Sequence, residues 1–263
     1  MRLTWHFRPV IIRGRSIWAN EADMTLNVTH LVPRHTRQWL RRTYDGLRFD
    51  SALRRFIAAP ADALPAANPL LSELIDAWGN GGWIAREGYL RECLAIALES
   101  SGPTLECGSG LSTLLLGAVA QRRGYEHWAF EHLPEWGMKV DRCAARHSLR
   151  SVRLCTAPLK DYAGYAWYDP PMARLPQVFA LVVCDGPPSG TAGGRYGLAP
   201  IMREHLAPGC VILLDDAGRE HERAIARRWQ EELGATHQLV AAGDNPYIRM
   251  TVPGLQVQPA LHG

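Results

Sequence analysis

No two of the six cysteines form a Cys-x-x-Cys pair, which argues against a zinc site. Cys107, Cys155, Cys184 and Cys210 fall in or beside predicted strands, where a thiol packs as a small hydrophobe. That usage fits a reducing compartment rather than a disulfide framework. No run is long and apolar enough to span a membrane. Val10-Ile11-Ile12 is too short for a signal-peptide core and is flanked by arginines. A cytoplasmic protein without a membrane partner is the expectation. The net charge of +3 is too small to argue for nucleic acid. Internal repeats and low-complexity tracts are also missing.

Charge is present but unevenly placed. Arg2, Arg8, Arg13, Arg15, Arg34, Arg37, Arg41, Arg42, Arg48, Arg54 and Arg55 meet only Glu21, Asp23, Asp45 and Asp50 over the same stretch. Met1 to Glu21 has no hydrophobic period, and Met24 is an alternative start. Arg37 to Ile57 places Trp39, Leu40, Tyr44, Leu47, Phe49, Leu53 and Phe56 between arginines, which predicts one or two amphipathic helices. Their basic face reads as a solvated layer, with a homodimer arm as the alternative. Ala58 to Asn68 reads as a linker, and Leu70 to Trp78 and Trp83 to Ser100 as helices. Residues 1–100 are therefore expected to form a basic arm and helical extension, and residues 101–263 the main domain.

The main domain opens on Pro103-Thr104-Leu105-Glu106-Cys107-Gly108-Ser109-Gly110-Leu111-Ser112-Thr113. It reads as a buried strand, a glycine turn and a helix whose first turn Ser112 or Thr113 can cap. A dinucleotide fingerprint wants a third glycine where Thr113 stands, and a pyrophosphate disfavours the nearby negative charge of Glu106. Strands and helices then alternate. Strands are predicted at His127–Glu131, Val152–Cys155, Phe179–Cys184 and Cys210–Leu214, and helices at Pro134–His147, Tyr196–Leu206 and Arg219–Leu233. Thr236–Ala241 and Tyr247–Val252 close the pattern as a strand pair. The fold class is α/β, a Rossmann-like, doubly wound and mostly parallel sheet. Strand ends then meet along one ligand-binding edge.

Four carboxylates are expected on that edge besides Glu106. Glu131 ends the second strand, Asp185 follows the fourth, and Asp215 and Asp216 follow the fifth. Asp185, Asp215 and Asp216 are hard oxygen donors whose convergence would suit Mg²⁺ or another divalent cation. The alternative is that they orient cofactor or substrate and cap a helix. Gly190 to Gly197 reads as a flexible loop over the crevice, from which Arg195 and Tyr196 could clamp an anionic or ring-shaped acceptor. Arg219 and Glu222 are rim candidates. His132 and His221 are expected near the crevice and His205 on a helix face.

The acid-x-Gly-x-Gly turn, Glu131, Asp185 and the Pro208-Gly209 turn before a strand ending in two acids resemble class I S-adenosylmethionine-dependent methyltransferases over Ser101 to Pro253. The resemblance implies that Glu106, Gly108, Ser109, Gly110 and Ser112 cradle the amino-acid end of the cofactor. It implies Glu131 at the ribose with His132 beside it, and Asp185 near the reacting end. An acid usual after the third strand is missing, so adenine recognition is assigned to backbone around Thr156 and Ala157. The acids after the fourth and fifth strands are similar to those of metal-dependent small-molecule and sugar O-methyltransferases. The lysine that catechol-type enzymes carry after the fourth-strand acid is replaced by Pro187-Pro188-Ser189. The expected activity is methyl transfer to a small-molecule acceptor, most simply a hydroxyl, with Asp185, Asp216 and Arg195 as catalytic candidates. A nicotinamide-dependent oxidoreductase and a catalytically silent cofactor-binding module are the alternatives.

Overall fold

A computed structural model describes residues 33–79, 85–241 and 245–254. The proposed arm at Met1–Glu21, the alternative start at Met24 and the first residues of the helix expected from Trp83 lie outside the described residues. The chain divides into two compact units, Met1–Thr43 and Tyr44–Gly263, and helix α1 (Arg34–Ala58) runs through the boundary. The second unit carries the seven-stranded sheet.

Within it, α1 contributes Phe49, Ala52, Leu53 and Phe56 to the core, an i, i+3, i+4, i+7 stripe. The segment read as a linker holds a short 3₁₀ turn, Pro60–Ala63, with Pro60 and Ala63 buried. Helix α2 (Leu70–Trp78) ends on Gly79 at φ +65°, the left-handed position that favours glycine. Helix α3 (Glu87–Glu99) is fixed by the buried Tyr89, whose hydroxyl donates to the Leu213 carbonyl at 2.9 Å.

The sheet strands are β1 (Thr104–Cys107), β2 (His127–Glu131), β3 (Val152–Thr156), β6 (Phe179–Cys184), β7 (Leu206–Leu214), β8 (Thr236–Val240) and β9 (Tyr247–Thr251). Their order is β3-β2-β1-β6-β7-β9-β8, with β9 antiparallel to both its neighbours and the remaining pairs parallel. Between β3 and β6 lies an unforeseen antiparallel hairpin, β4 (Leu159–Asp161) with β5 (Ala166–Tyr168).

Strand side chains alternate between two cores, as a period of two requires. Leu181, Val183 and Leu213 join the core made with α1 to α3, α4 (Leu111–Arg123) and α5 (Pro134–Arg146). Val182, Cys184, Ile212 and Leu214 join the opposite core with α6 (Leu198–Met202), α7 (Glu220–Leu233) and the hairpin. Helix α4 is buried almost all round because it lies between sheet and helices, which explains its unbroken apolar run. The six cysteines are free and buried. Among the described residues, no helix is long and apolar enough to cross a membrane.

The chain winds outward from β1 to β3, then returns to place β6 on β1's other side. A crevice opens at such a reversal, outside the strand C-termini. Register aligns what faces it. Cys107 pairs with both Phe130 and Cys184, and Cys184 pairs with Leu214. Gly108, Glu131, Asp185 and Asp215 therefore each stand one residue past the same row. Backbone bonds close that row: Gly108 N–H to the Phe130 carbonyl (2.9 Å), Asp185 N–H to Cys107 (3.2 Å) and Asp215 N–H to Cys184 (3.1 Å).

Candidate active site

A cleft of about 850 Å³ opens over this row, within the roughly 300–1,000 Å³ usual for small-molecule sites. Glu106, Gly108, Ser109, Gly110, Ser112, Glu131, His132, Asp185, Arg195, Asp215 and Asp216 all line it, so one wall gathers most of the candidate residues.

At one end Glu106 is buried beneath the glycine turn. Ser112 Oγ donates to its Oε1, Thr113 Oγ1 to Oε2 (2.6 Å), and His127 Nε2 lies 3.3 Å from Oε2. Thr113 Oγ1 also accepts the Gly110 N–H at 2.8 Å. The carboxylate thus ties the end of β1 to the start of α4 and shapes the turn from below. Gly108 has φ +103°, a conformation that side chains resist. The residue where a dinucleotide motif wants glycine is thus engaged in holding the acid.

Glu131 is tied to the same turn. Its Oε2 accepts Ser109 Oγ at 2.7 Å, and its Oε1 accepts the Leu133 N–H at 2.8 Å. Trp136 Nε1 donates to the Ser109 carbonyl at 2.8 Å. Trp136 and Trp78 meet edge to face at the cleft wall, with Lys139 over both rings. The ribose-side carboxylate, the turn and this aromatic wall form one connected unit.

Thr156 and Ala157 do not belong to the cleft lining. The Ala157 N–H already donates to the Glu131 carbonyl at 2.8 Å, so it is not available to an adenine ring. The neighbouring surface is supplied instead by His132 and by Tyr168 of the hairpin, whose rings lie 6.2 Å apart.

The opposite end differs most from expectation. Gly190 stays exposed at the cleft, but the segment from Gly193 to Gly197 is packed rather than draped over the crevice. A Cβ at Gly193 would stand 2.5 Å from Tyr165 Cβ, and one at Gly197 would stand 2.4 Å from Trp167. Lacking side chains there, the loop seats against the hairpin and sends Arg195 inward, where it is 3 % exposed. Arg195 Nη2 donates to Asp185 Oδ1 (3.0 Å) and Asp216 Oδ2 (2.7 Å), and Nη1 donates to the Asp215 carbonyl (2.7 Å). Tyr196 turns away, its hydroxyl donating to Glu232 at 2.7 Å and its ring covered by Arg228.

The expected metal ligands therefore do not fit a metal. Arg195 lies among Asp185, Asp216 and the Asp215 carbonyl, where a cation would have to sit. The Asp215 side chain is committed elsewhere: its Oδ1 accepts the Asp216 N–H (2.7 Å) and Asn245 Nδ2 (3.1 Å). Among the described residues no group of three histidine, cysteine or acidic side chains could hold a metal ion. Arg195 is also tied to the protein rather than held free as an anion clamp: both terminal nitrogens have protein partners, although its buried Nε has none among the described residues.

Asp216 is in the left-handed region at φ +60°, which aspartate tolerates better than most residues. Arg219, at 3.0 Å, adds a second guanidinium to its carboxylate. Glu222 is fully buried behind Ser189, which donates to it at 2.9 Å, rather than standing at the rim. His221 packs under Gly194, and His205 donates from Nδ1 to the Pro176 carbonyl, away from the cleft.

Burial pushes the Asp185 carboxyl up to about 7, against the lowering pull of Arg195 and with further push from Asp215, Asp216 and Glu106. Asp215 is likewise raised by burial, to about 6, with the Asp216 N–H opposing the rise. Among the described residues only Oδ1 of Asp185 is hydrogen-bonded, which leaves Oδ2 for a proton at the cleft wall.

Residues 105–217 match the family model of a methyltransferase domain. No curated protein matches the chain. Among solved structures, the precorrin-6Y C5,15-methyltransferase of Geobacter metallireducens GS-15 aligns with a TM-score of 0.50 at 15% identity, over 66% of this chain and 92% of that one. An O-methyltransferase from Bacillus cereus in complex with SAH aligns at 17% identity over 77% of this chain and 91% of that one, with a TM-score of 0.48. The first of these is a likeness of fold. The family match runs from β1 to the residue after Asp216 and so contains the whole row of strand ends. Residues 105–217 therefore carry a methyltransferase domain, and the sheet around them has the Rossmann-like fold of class I S-adenosylmethionine-dependent methyltransferases.

Proposed function

We propose that the protein transfers the methyl group of S-adenosylmethionine to a neutral hydroxyl of a small molecule, with Asp185 as the proton acceptor. The observation that carries this reading is the position of Asp185. It lies on the cleft wall, in the same row as Gly108 and Glu131, with one oxygen anchored by Arg195 and the other unengaged among the described residues. A base that titrates to about 7 is well matched to a hydroxyl at neutral pH.

The cofactor supplies an activated methyl on a sulfonium, and the protein supplies binding, alignment and charge placement. Glu106 and the turn it shapes suit the amino-acid end, and Glu131 suits the ribose hydroxyls. At the acceptor end, the acceptor proton moves to Asp185 Oδ2. With S-adenosylmethionine bound, the oxygen's pair would form the new C–O bond, and the former methyl–sulfur bonding pair would remain on sulfur, leaving a thioether.

Charge favours a neutral acceptor. With all groups ionised, three carboxylates (Asp185, Asp215, Asp216) and two guanidiniums (Arg195, Arg219) leave one net negative charge. An anionic reacting group would meet repulsion there. Calorimetric titration tests the cofactor assignment. S-adenosylhomocysteine should bind and NAD should not, and Gly108→Val should abolish binding. Tight NAD binding with no response to either sulfur compound would reject the reading.

A further inference from the structure

Carboxylates after β6 and β7 are brought side by side by the register of the sheet. Left alone they would resist ionisation together, and hard oxygen donors in that arrangement are what a divalent cation binds. The chain answers the charge from within. The loop carrying Arg195 is seated by glycines against Tyr165 and Trp167, where a Cβ would overlap neighbouring atoms. Its guanidinium reaches two carboxylate oxygens and one carbonyl oxygen at 2.7–3.0 Å.

We infer that Arg195 is a built-in cation, occupying the place a divalent ion would take between Asp185 and Asp216, so that these two carboxylates are held together without metal. Arg195 is then a positioning residue: it holds the Asp185 carboxylate at the cleft wall and leaves Oδ2 turned to the acceptor. Only this last role rests on the methyl-transfer reading; the charge replacement does not.

Two simpler accounts of Arg195 fail on the geometry. A solvated arginine would be exposed, and this one is buried. A substrate clamp would present its guanidinium to the cleft, whereas here Nη2 is shared by two acids and Nη1 is held by the Asp215 carbonyl. Exposed ion pairs contribute little, whereas removing one partner of a buried group leaves uncompensated charge. The loop therefore has a definite consequence when the arginine is lost: the acids should seek another cation.

The test uses the full chain at pH 8, with Mn²⁺ binding read by electron paramagnetic resonance and melting temperature read with and without Mn²⁺. Wild type should bind no Mn²⁺ and melt unchanged. Arg195→Met should melt lower, bind a single Mn²⁺ ion and recover part of its loss when Mn²⁺ is added. Adding Asp216→Asn to that variant should remove the binding. Saturable Mn²⁺ binding by wild type that Asp216→Asn abolishes would overturn the inference, as would a folded Arg195→Met that ignores the ion. If Arg195→Met does not fold, Arg195→Lys decides alongside wild type. It keeps one positive charge, so indifference to Mn²⁺ in both supports the inference and a response in wild type overturns it. S-adenosylhomocysteine binding is followed in parallel. Its failure in every form would reject the methyl-transfer reading while the Mn²⁺ results still decide the role of Arg195.

Discussion

Glu106 and Asp185 show how one residue type does different work in neighbouring strands. Glu106 is surrounded by the hydroxyls of Ser112 and Thr113 and by His127, so its carboxylate organises structure. Glu106→Ala should cost roughly 2–4 kcal/mol, since several buried donors lose their acceptor at once. Chemical denaturation measures the loss, and S-adenosylhomocysteine binding should disappear with it. Asp185 has the opposite balance. Burial raises its carboxyl to about 7 in the fold, above the ordinary carboxylate range. The folded chain therefore keeps that proton to a higher pH than the unfolded chain does. The resulting stability is fully present below the unfolded pKa and is lost as pH rises through the folded value. Asp215, raised to about 6, acts in the same direction. Melting temperature should accordingly fall between about pH 4 and 7 on account of these two groups. Asp185→Asn should raise the melting temperature at pH 8, change it little at pH 5, and stop methyl transfer. A variant equally destabilised at both pH values would show that the ionised acid stabilises the fold.

At the scale of elements, strand ends were legible and loop destinations were not. Periodicity and glycine punctuation locate β1, β2, β6 and β7 in the sequence, and parallel pairing then places Glu131, Asp185 and Asp215 in one row. The acids alone, however, suggested a bound cation. Nothing local in Gly190–Gly197 says that its second half packs inward, because the atoms that receive it belong to the β4–β5 hairpin and to α7. That hairpin consists of two three-residue strands, too short for a period to register. Asn245 is hidden for a related reason: it stands just before β9, yet its partner Asp215 is 30 residues earlier in the chain. The predicted Tyr196–Leu206 helix shortens to α6, followed by a 3₁₀ turn, because Tyr196 and Gly197 are spent on seating the loop. Gly197→Ala is the corresponding test. Its Cβ would meet the Trp167 side chain, so about 2–4 kcal/mol of stability should be lost. Methyl transfer should fall further than S-adenosylhomocysteine binding, because Arg195 is displaced while the glycine turn is not. Equal loss of both would indicate a general collapse of the cleft.

For the whole molecule, the family match over residues 105–217 coincides with the part whose sequence carries motifs. The helices before it are recognisable only by their apolar spacing, and what they contribute is core: Phe49, Leu53, Phe56, Leu71 and Leu90 are all buried. A chain starting at Met24 should keep both its melting temperature and its cofactor binding. A chain starting at Ala58 should lose several kcal/mol, since Ala52, Leu53, Phe56 and Phe49 leave with it and each large apolar side chain contributes roughly 1.5–3 kcal/mol. Thermal melts of the two truncations separate these outcomes.

The most direct test follows a labelled methyl group. Purified protein is incubated with methyl-labelled S-adenosylmethionine and a small-molecule metabolite extract, in the presence of a strong chelator of divalent ions. Label should pass to a small molecule through a new methyl ether with wild type. No label should pass with Asp185→Asn, which still binds S-adenosylhomocysteine. Transfer that ceases on chelation and returns with added Mg²⁺, or a wild-type chain that binds the cofactor and never releases its methyl group to any acceptor, would contradict the account.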